Sequence, residues 1–143
     1  MTEKQQDGLR IFSELRGAER AAEMEARMES DSFGAALIQH ATDYVFSSVW
    51  GREGLDRKQR SLVTIGILIG LRQTDELRNH VEIGVTNGLS AREIEEAILQ
   101  SAAYAGFPAA WSALRAATEV LQRLGLVVVS EAASTKGEKE TNV

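Results

Sequence analysis

Cysteine is absent from all 143 residues, and this excludes thiol nucleophiles, disulfides, iron–sulfur clusters and thiolate zinc sites. It also leaves the compartment unmarked by redox chemistry. Concentrated positive charge is missing too. A formal net charge of −5 and a pI near 5.1 offer no basic surface for nucleic-acid phosphates or an anionic bilayer. Long apolar runs are lacking: the longest, Leu62 to Leu71, is interrupted by Thr64, Gly66 and Gly70 and falls short of the roughly 20 residues that a membrane-spanning helix needs. Met1 to Asp7 are polar, without the apolar stretch of a secretory signal. A cytoplasmic protein with no nucleic-acid or membrane partner is expected. No glycine-rich phosphate loop and no G-x-S-x-G elbow occur, which argues against nucleotide enzymes and triad hydrolases.

What is present is the balance of an ordinary globular protein, 43% hydrophobic and 26% charged, at a length that suits one core. Strand signals are confined to Val127-Val128-Val129. The expected class is all-α, a compact domain of five to seven helices. A partial apolar stripe over 6–16 ends at Gly17, and a charged helix follows from Ala18 to Met28. Phe33, Leu37, Tyr44, Val45, Val49 and Trp50 recur at three- and four-residue spacings, which predicts one helix over 32–50. Asp56 caps a helix over 57–72 whose second half is apolar on every side, so it should run through the centre of the fold or into a subunit interface. Gly66 and Gly70 would let another backbone approach that helix closely, and the helix-propensity cost of about 1 kcal/mol each implies a packing reason.

Thr74 is read as the cap of the next helix, with Asp75 and Glu76 in its first turn and Asn87-Gly88 at its end. Ser90-Ala91-Arg92-Glu93 is a capping box that opens a helix to about Ala105. Gly106-Phe107-Pro108 stops that helix and starts the last, which runs to about Leu124. The expected organisation is an N-terminal helical extension over 1–31, a helical domain over 32–126 and a disordered tail over 130–143.

Glu76 and His80, four apart on one helix, share a face. A carboxylate there would raise the imidazole's proton affinity and orient it for general acid–base work; the plain alternative is a surface pair beside a half-buried histidine. A metal site is disfavoured, because no second ligand helix accompanies the pair and di-iron bundles place the glutamate and histidine three apart on paired helices. Arg52, Arg57, Lys58, Arg60 and Arg72 surround the apolar helix. Arg60 and Arg52 are candidates to receive a substrate carboxylate. Trp50, Tyr104, Phe107 and Trp111 read as core or interface aromatics, or else as the apolar wall of a pocket.

The string Gly54-Leu55-Asp56-Arg57-Lys58-Gln59-Arg60-Ser61-Leu62-Val63-Thr64 resembles the carboxymuconolactone decarboxylase family. The resemblance continues through Glu76-Leu77-Arg78-Asn79-His80-Val81, Thr86 to Ser90, Glu93-Ile94 and Tyr104 to Ala110, and covers about 33–124. It implies an AhpD-like all-α fold assembling as a homo-oligomer, commonly a hexamer built as a trimer of dimers, with the apolar helix and the alanine-rich final hairpin as interface. It also implies cofactor-free loss of carbon dioxide from a carboxylated lactone in aromatic catabolism. The family's peroxide-reducing branch carries a C-x-x-C pair, and Gln73 and Glu76 occupy those positions here, with His80 matching its histidine.

On this resemblance His80 is the proton donor, Glu76 its partner, Arg60 or a neighbour such as Arg52 the carboxylate holder, and Trp50, Tyr104 and Phe107 the wall. No metal or cofactor is expected. Phe46-Ser47-Ser48 stands where the decarboxylases usually have Trp-Gly-Glu, and Glu82 where they tend to have arginine. One lost acid and one reversed charge point to a changed substrate, such as another lactone, a β-keto acid or an enolisable carbonyl compound. The competing expectation is a non-catalytic helical assembly. Cysteine-independent peroxide chemistry is weaker, because no other redox group is present.

Overall fold

A computed structural model of the chain describes residues 1–128, and the expected tail over 130–143 lies outside them. Every described element is helical. Three capping boxes, each pairing a short side-chain acceptor with a glutamine or glutamate three residues on, satisfy the first free amides of their helices. Thr2 and Gln5 open α1 (Glu3–Arg16), Asp56 and Gln59 open α4 (Arg57–Gly70), and Ser90 and Glu93 open α6 (Ala91–Ala105). The first was not read from the sequence, so α1 begins a turn earlier than expected. Gly17 separates α1 from α2 (Ala18–Met28), and Gly106 with Pro108 starts α7 (Phe107–Arg123).

Two local readings are corrected. The helix expected over 32–50 starts only after Gly34, runs as α3 (Ala35–His40) and then widens into a π-helix over Ala41–Trp50. There, backbone and side-chain donors reach five residues back, Gly51 N–H to the Phe46 carbonyl at 3.0 Å and Ser48 Oγ to the Asp43 carbonyl at 2.9 Å. The wider turn changes which side chains share a face. Thr42 and Trp50 are buried, while Phe33, Leu37 and Tyr44, expected to pack, are exposed. For α5 (Thr74–Thr86), Gln73 rather than Thr74 holds the cap position, without a side-chain bond.

The main core joins α4, α5, α6 and α7 around Ile65, Ile69, Val81, Ile94 and a run of buried alanines including Ala113, Ala116 and Ala117. The alanine-rich hairpin expected at a subunit interface is therefore packed within the chain, its small side chains letting α7 approach its neighbours closely. Nor is α4 surrounded. Ser61, Ile65 and Ile69 face inward, while Val63, Ile67 and Leu71 are more than half exposed. A methyl added at Gly66 would meet only Ser101 Oγ, at 3.9 Å, and one at Gly70 would meet nothing.

A smaller core holds α1 to the π-helix and α5 through Ile11, Leu15, Trp50 and Ile83. Its closest approach is at Gly8, where an added Cβ would run into the Thr42 carbonyl and lie 2.8 Å from Thr42 Cγ2. Helix propensity alone predicts that Gly8→Ala stabilises α1 by about 1 kcal/mol. The contact predicts the opposite sign, a loss of about 1–3 kcal/mol from overpacking, read as a lower urea midpoint at an unchanged slope. A higher midpoint would show that α1 can move off the π-helix without cost.

Candidate functional site

Leu77, Val81 and Gly84 seat α5 in the interior and thereby fix its rotation. Glu76 and His80 then lie together on a flank that faces α1 and the π-helix. Glu76 is exposed and His80 half-buried. Trp50, the last residue of the π-helix, stacks on the imidazole with ring centroids 6.2 Å apart and planes 16° from parallel. The imidazole Nδ1 is sealed from solvent with no hydrogen-bond partner. Such an atom is costly to leave unmade, and a buried polar group without a partner calls for a functional or structural reason.

Burial pushes the His80 pKa below its ordinary 6.5, Glu76 pulls it up, and Arg16 pushes it down. The effect expected of Glu76 is present in direction, but burial outweighs it. His80 rests neutral at pH 7, because a low-dielectric site disfavours the imidazolium. Among the described residues no hydrogen bond joins it to Glu76, so their coupling acts through the electric field.

Arg16 was not singled out in the sequence. It sits in the last turn of α1 with a side chain only 11% exposed. Its guanidinium donates to Asn79 Oδ1 at 3.1 Å, to the Asn79 carbonyl at 3.4 Å and to Glu82 at 3.3 Å. Partners 63 and 66 residues away leave no spacing to recognise; the only local hint was a basic residue ending a helix that packs. Desolvation lowers its pKa, yet a guanidinium stays charged in any ordinary medium. Glu82 also meets Arg20 at 3.5 Å and Arg123 at 3.4 Å. Burial raises the Glu82 pKa, but the three arginines together hold it below the usual range. The reversed charge at Glu82 thus gives Arg16 its anchor.

The missing acid near Ser48 has a neighbouring counterpart. Ser47 Oγ donates to the Asp7 carboxylate at 3.1 Å, and the hydrogen bond from Arg10 holds that carboxyl below its ordinary pKa. Asp43 Oδ1 is buried without a partner.

The remaining candidates make other contacts. Arg60 donates through Nη2 to the Arg52 carbonyl at 2.8 Å, with its Nε buried and unpartnered, and so braces the loop before α4. The Arg52 side chain is exposed. Tyr104 and Phe107 stand 86% and 60% exposed at the Gly106 corner, and Phe107 pairs with Trp111 at 6.1 Å. Arg78–Glu119 and Glu82–Arg123 contacts set α5 and α7 side by side and parallel. At 1.5 Å per residue, Phe107 is then about 18 Å along α7 from the level of Arg78. The structure brings His80, Glu76, Trp50 and the unforeseen Arg16 together and places Tyr104 and Phe107 at the far end of α7, while Arg60 and Arg52 join each other just beyond Trp50, with no hydrogen bond from either to His80 among the described residues. Among the described residues no three histidine, aspartate or glutamate side chains converge as a metal cage would require.

Comparison with known proteins gives a match to the carboxymuconolactone decarboxylase family model over residues 35–119, more than half of the chain. A 4-carboxymuconolactone decarboxylase of Acinetobacter baylyi is 43% identical over 83 residues, which span 58% of this chain and 62% of that protein. A nitrosuccinic acid decarboxylase of Metarhizium robertsii is 34% identical over 108 residues, 76% of this chain and 74% of that protein. The match thus leaves more than a third of the bacterial relative's length unspanned. With the family model matched over more than half of its length and a relative 34% identical over three quarters of it, the chain belongs to the carboxymuconolactone decarboxylase family.

Proposed function

We propose that this protein is a cofactor-free carboxy-lyase acting on a carboxylated lactone or a related enolisable carboxylate. The observation that carries the reading is the stack of His80 on Trp50 with Arg16 and Glu76 in its field. The naming of two relatives as decarboxylases, of 4-carboxymuconolactone and of nitrosuccinic acid, supports it. Loss of carbon dioxide leaves an electron pair delocalised toward a carbonyl or comparable acceptor, and that pair must then receive a proton on carbon. His80 delivers it. The imidazole rests neutral, so it needs charging. A substrate carboxylate brought against it adds the negative charge that burial lacks and raises its proton affinity at the moment of use. The flat face of Trp50 excludes water on one side and keeps the ring oriented.

The exposed apolar surface supports a second part of the proposal, that the protein is a homo-oligomer, with a trimer of dimers as the expected hexameric order. Val63, Ile67 and Leu71 form a stripe along α4, beside two glycines against which the described residues pack only loosely, Ser101 at Gly66 and none at Gly70. Tyr104, Phe107 and Trp111 add exposed aromatic surface, and exposed apolar patches commonly mark protein–protein contacts. Tyr104 and Phe107 would then wall a neighbouring copy's site. Among the described residues no helix is long and apolar enough to cross a membrane.

Three outcomes follow. His80→Gln should lower decarboxylation of 4-carboxymuconolactone, followed by its ultraviolet absorbance, by at least about 100-fold with the helical circular dichroism retained; unchanged turnover removes His80 from the chemistry. For stability, the unfolded chain binds the His80 proton more readily than the folded one. Stability should therefore be level above the ordinary histidine pKa of about 6.5 and fall as pH drops below it. His80→Gln should flatten that slope in urea titrations, and an equally steep slope in the variant would assign it to other groups. Ile67→Glu should shift the mass measured by light scattering to that of a smaller species, whereas a monomeric parent protein would contradict the assembly.

A further inference from the structure

Between α1, α2 and the α3–π-helix segment runs a groove of about 450 Å³ that the foregoing chemistry does not use. Its floor is apolar, from Phe12, Met24, Ile38 and Phe46, and its rim carries Arg16, Arg20 and Arg27. Glu23 is the one carboxylate among its lining residues. Glu82, outside the lining, is shared among Arg16, Arg20 and Arg123 at 3.3 to 3.5 Å. No one of them has a short bidentate pair with it. Arg27 has no ion pair among the described residues. A space of this volume with an apolar body and a few convergent charges has the character of a small-ligand site. The charge it lacks is negative.

We propose that this groove binds a small organic acid, its apolar carbon body on Phe12 and Phe46 and its carboxylate on Arg16 and Arg20. Guanidinium forks match a planar carboxylate two bonds at a time; Arg16 is held in place at the rim by Asn79 and Glu82, and the exposed Arg20, which meets Glu82 only at 3.5 Å, can turn toward a ligand without leaving Glu82 bare, since Arg16 and Arg123 remain. Much of the site stands outside the stretch 35–119 that defines the family match, because α1 and α2 supply all three arginines.

Arg16 belongs both to this rim and to the surroundings of His80. The charges acting on His80 are Glu76 from its own helix and Arg16 from α1, while the π-helix contributes the uncharged Trp50. A carboxylate seated on Arg16 would cancel the one positive charge that opposes protonation of His80. Occupancy of the groove therefore prepares the imidazole to act as an acid. This coupling extends the proposed role of His80, whereas binding in the groove does not depend on it.

The experiment is a nuclear magnetic resonance titration of the intact protein with hexa-2,4-dienoate, compared at constant ionic strength with the uncharged hexa-2,4-dien-1-ol of the same carbon skeleton. The acid should shift amides of 12–27 and 41–46 and bind at least about tenfold more tightly than the alcohol, with Arg20→Gln and Arg16→Lys each weakening it at least about fivefold through loss of guanidinium contacts. Arg16→Lys keeps the charge that ties α1 to α5, and Arg20 is exposed, so a loss of binding in both is not a loss of fold. With only His40 and His80 in the chain, imidazole resonances give each pKa directly. The acid should raise that of His80. Equal affinity for acid and alcohol, shifts confined to other surfaces, or unaffected binding in the two arginine variants would overturn the site. A site that binds as stated in a protein inert toward 4-carboxymuconolactone would sink the lyase reading and leave the groove standing.

Discussion

The contact of α1 with the π-helix is the constraint on which the arrangement around His80 depends. Gly8 against Thr42 brings the two backbones closer than any side chain would permit. Ile11 and Leu15, one and two turns further along α1, then reach Trp50. Trp50 in turn meets the imidazole of His80, and Arg16, one residue past Leu15, arrives at Asn79 and Glu82. The π-helix is part of the same device. Its wider turn aims Thr42 and Trp50 into one small core, and inserted residues of this kind recur where a helix must re-aim a side chain at a functional site.

Electrostatics at the site follow from that packing. Covering the imidazole with Trp50 removes water, and the loss of solvation exceeds the attraction of an exposed Glu76, whose charge is screened. Arg16 adds a further push toward the neutral form. The resting state is a histidine whose proton affinity is held below the ordinary value, and a bound anion is the simplest agent to oppose that shift. Glu82 has the complementary part. By holding three arginines loosely, it keeps positive charge next to the histidine without the full desolvation penalty of an unpaired buried guanidinium.

Much of this was readable wherever the physics is local. Asp56 with α4 and Ser90 with α6 could be placed because a capping box is complete within four residues, and Gly106-Phe107-Pro108 because a glycine stop and a first-turn proline need no tertiary partner. Glu76 and His80 share a face for the same reason. Other features depend on what lies across the chain. Apolar spacing over 32–50 suits an α-helix, and nothing in it signals the register of five that turns Tyr44 outward, nor the start only after Gly34 that leaves Phe33 outside the helix. Small residues on α6 and α7 announce close packing but not whose helix is close, and the partner turned out to be the same chain. Arg16 could not be found at all, since its partners at Asn79 and Glu82 are distant in sequence and ordinary in type.

The two departures from the family pattern acquire a physical sense once α1 is in place. An arginine two residues after the histidine would put a cation on α5, next to Arg16, Arg20 and Arg123, and four guanidinium groups without an acceptor could not remain packed there. With Glu82 the cation comes from α1 instead, reaching the same neighbourhood from the opposite side. Likewise the acid lacking at Ser48 is answered one residue earlier, where Ser47 receives Asp7 from α1. Both exchanges move a charge from the family's helices onto the N-terminal helix. A substrate read by those charges would be gripped from α1 rather than from α5, so a change of substrate relative to the decarboxylases can occur while His80 and Trp50 stay where they are.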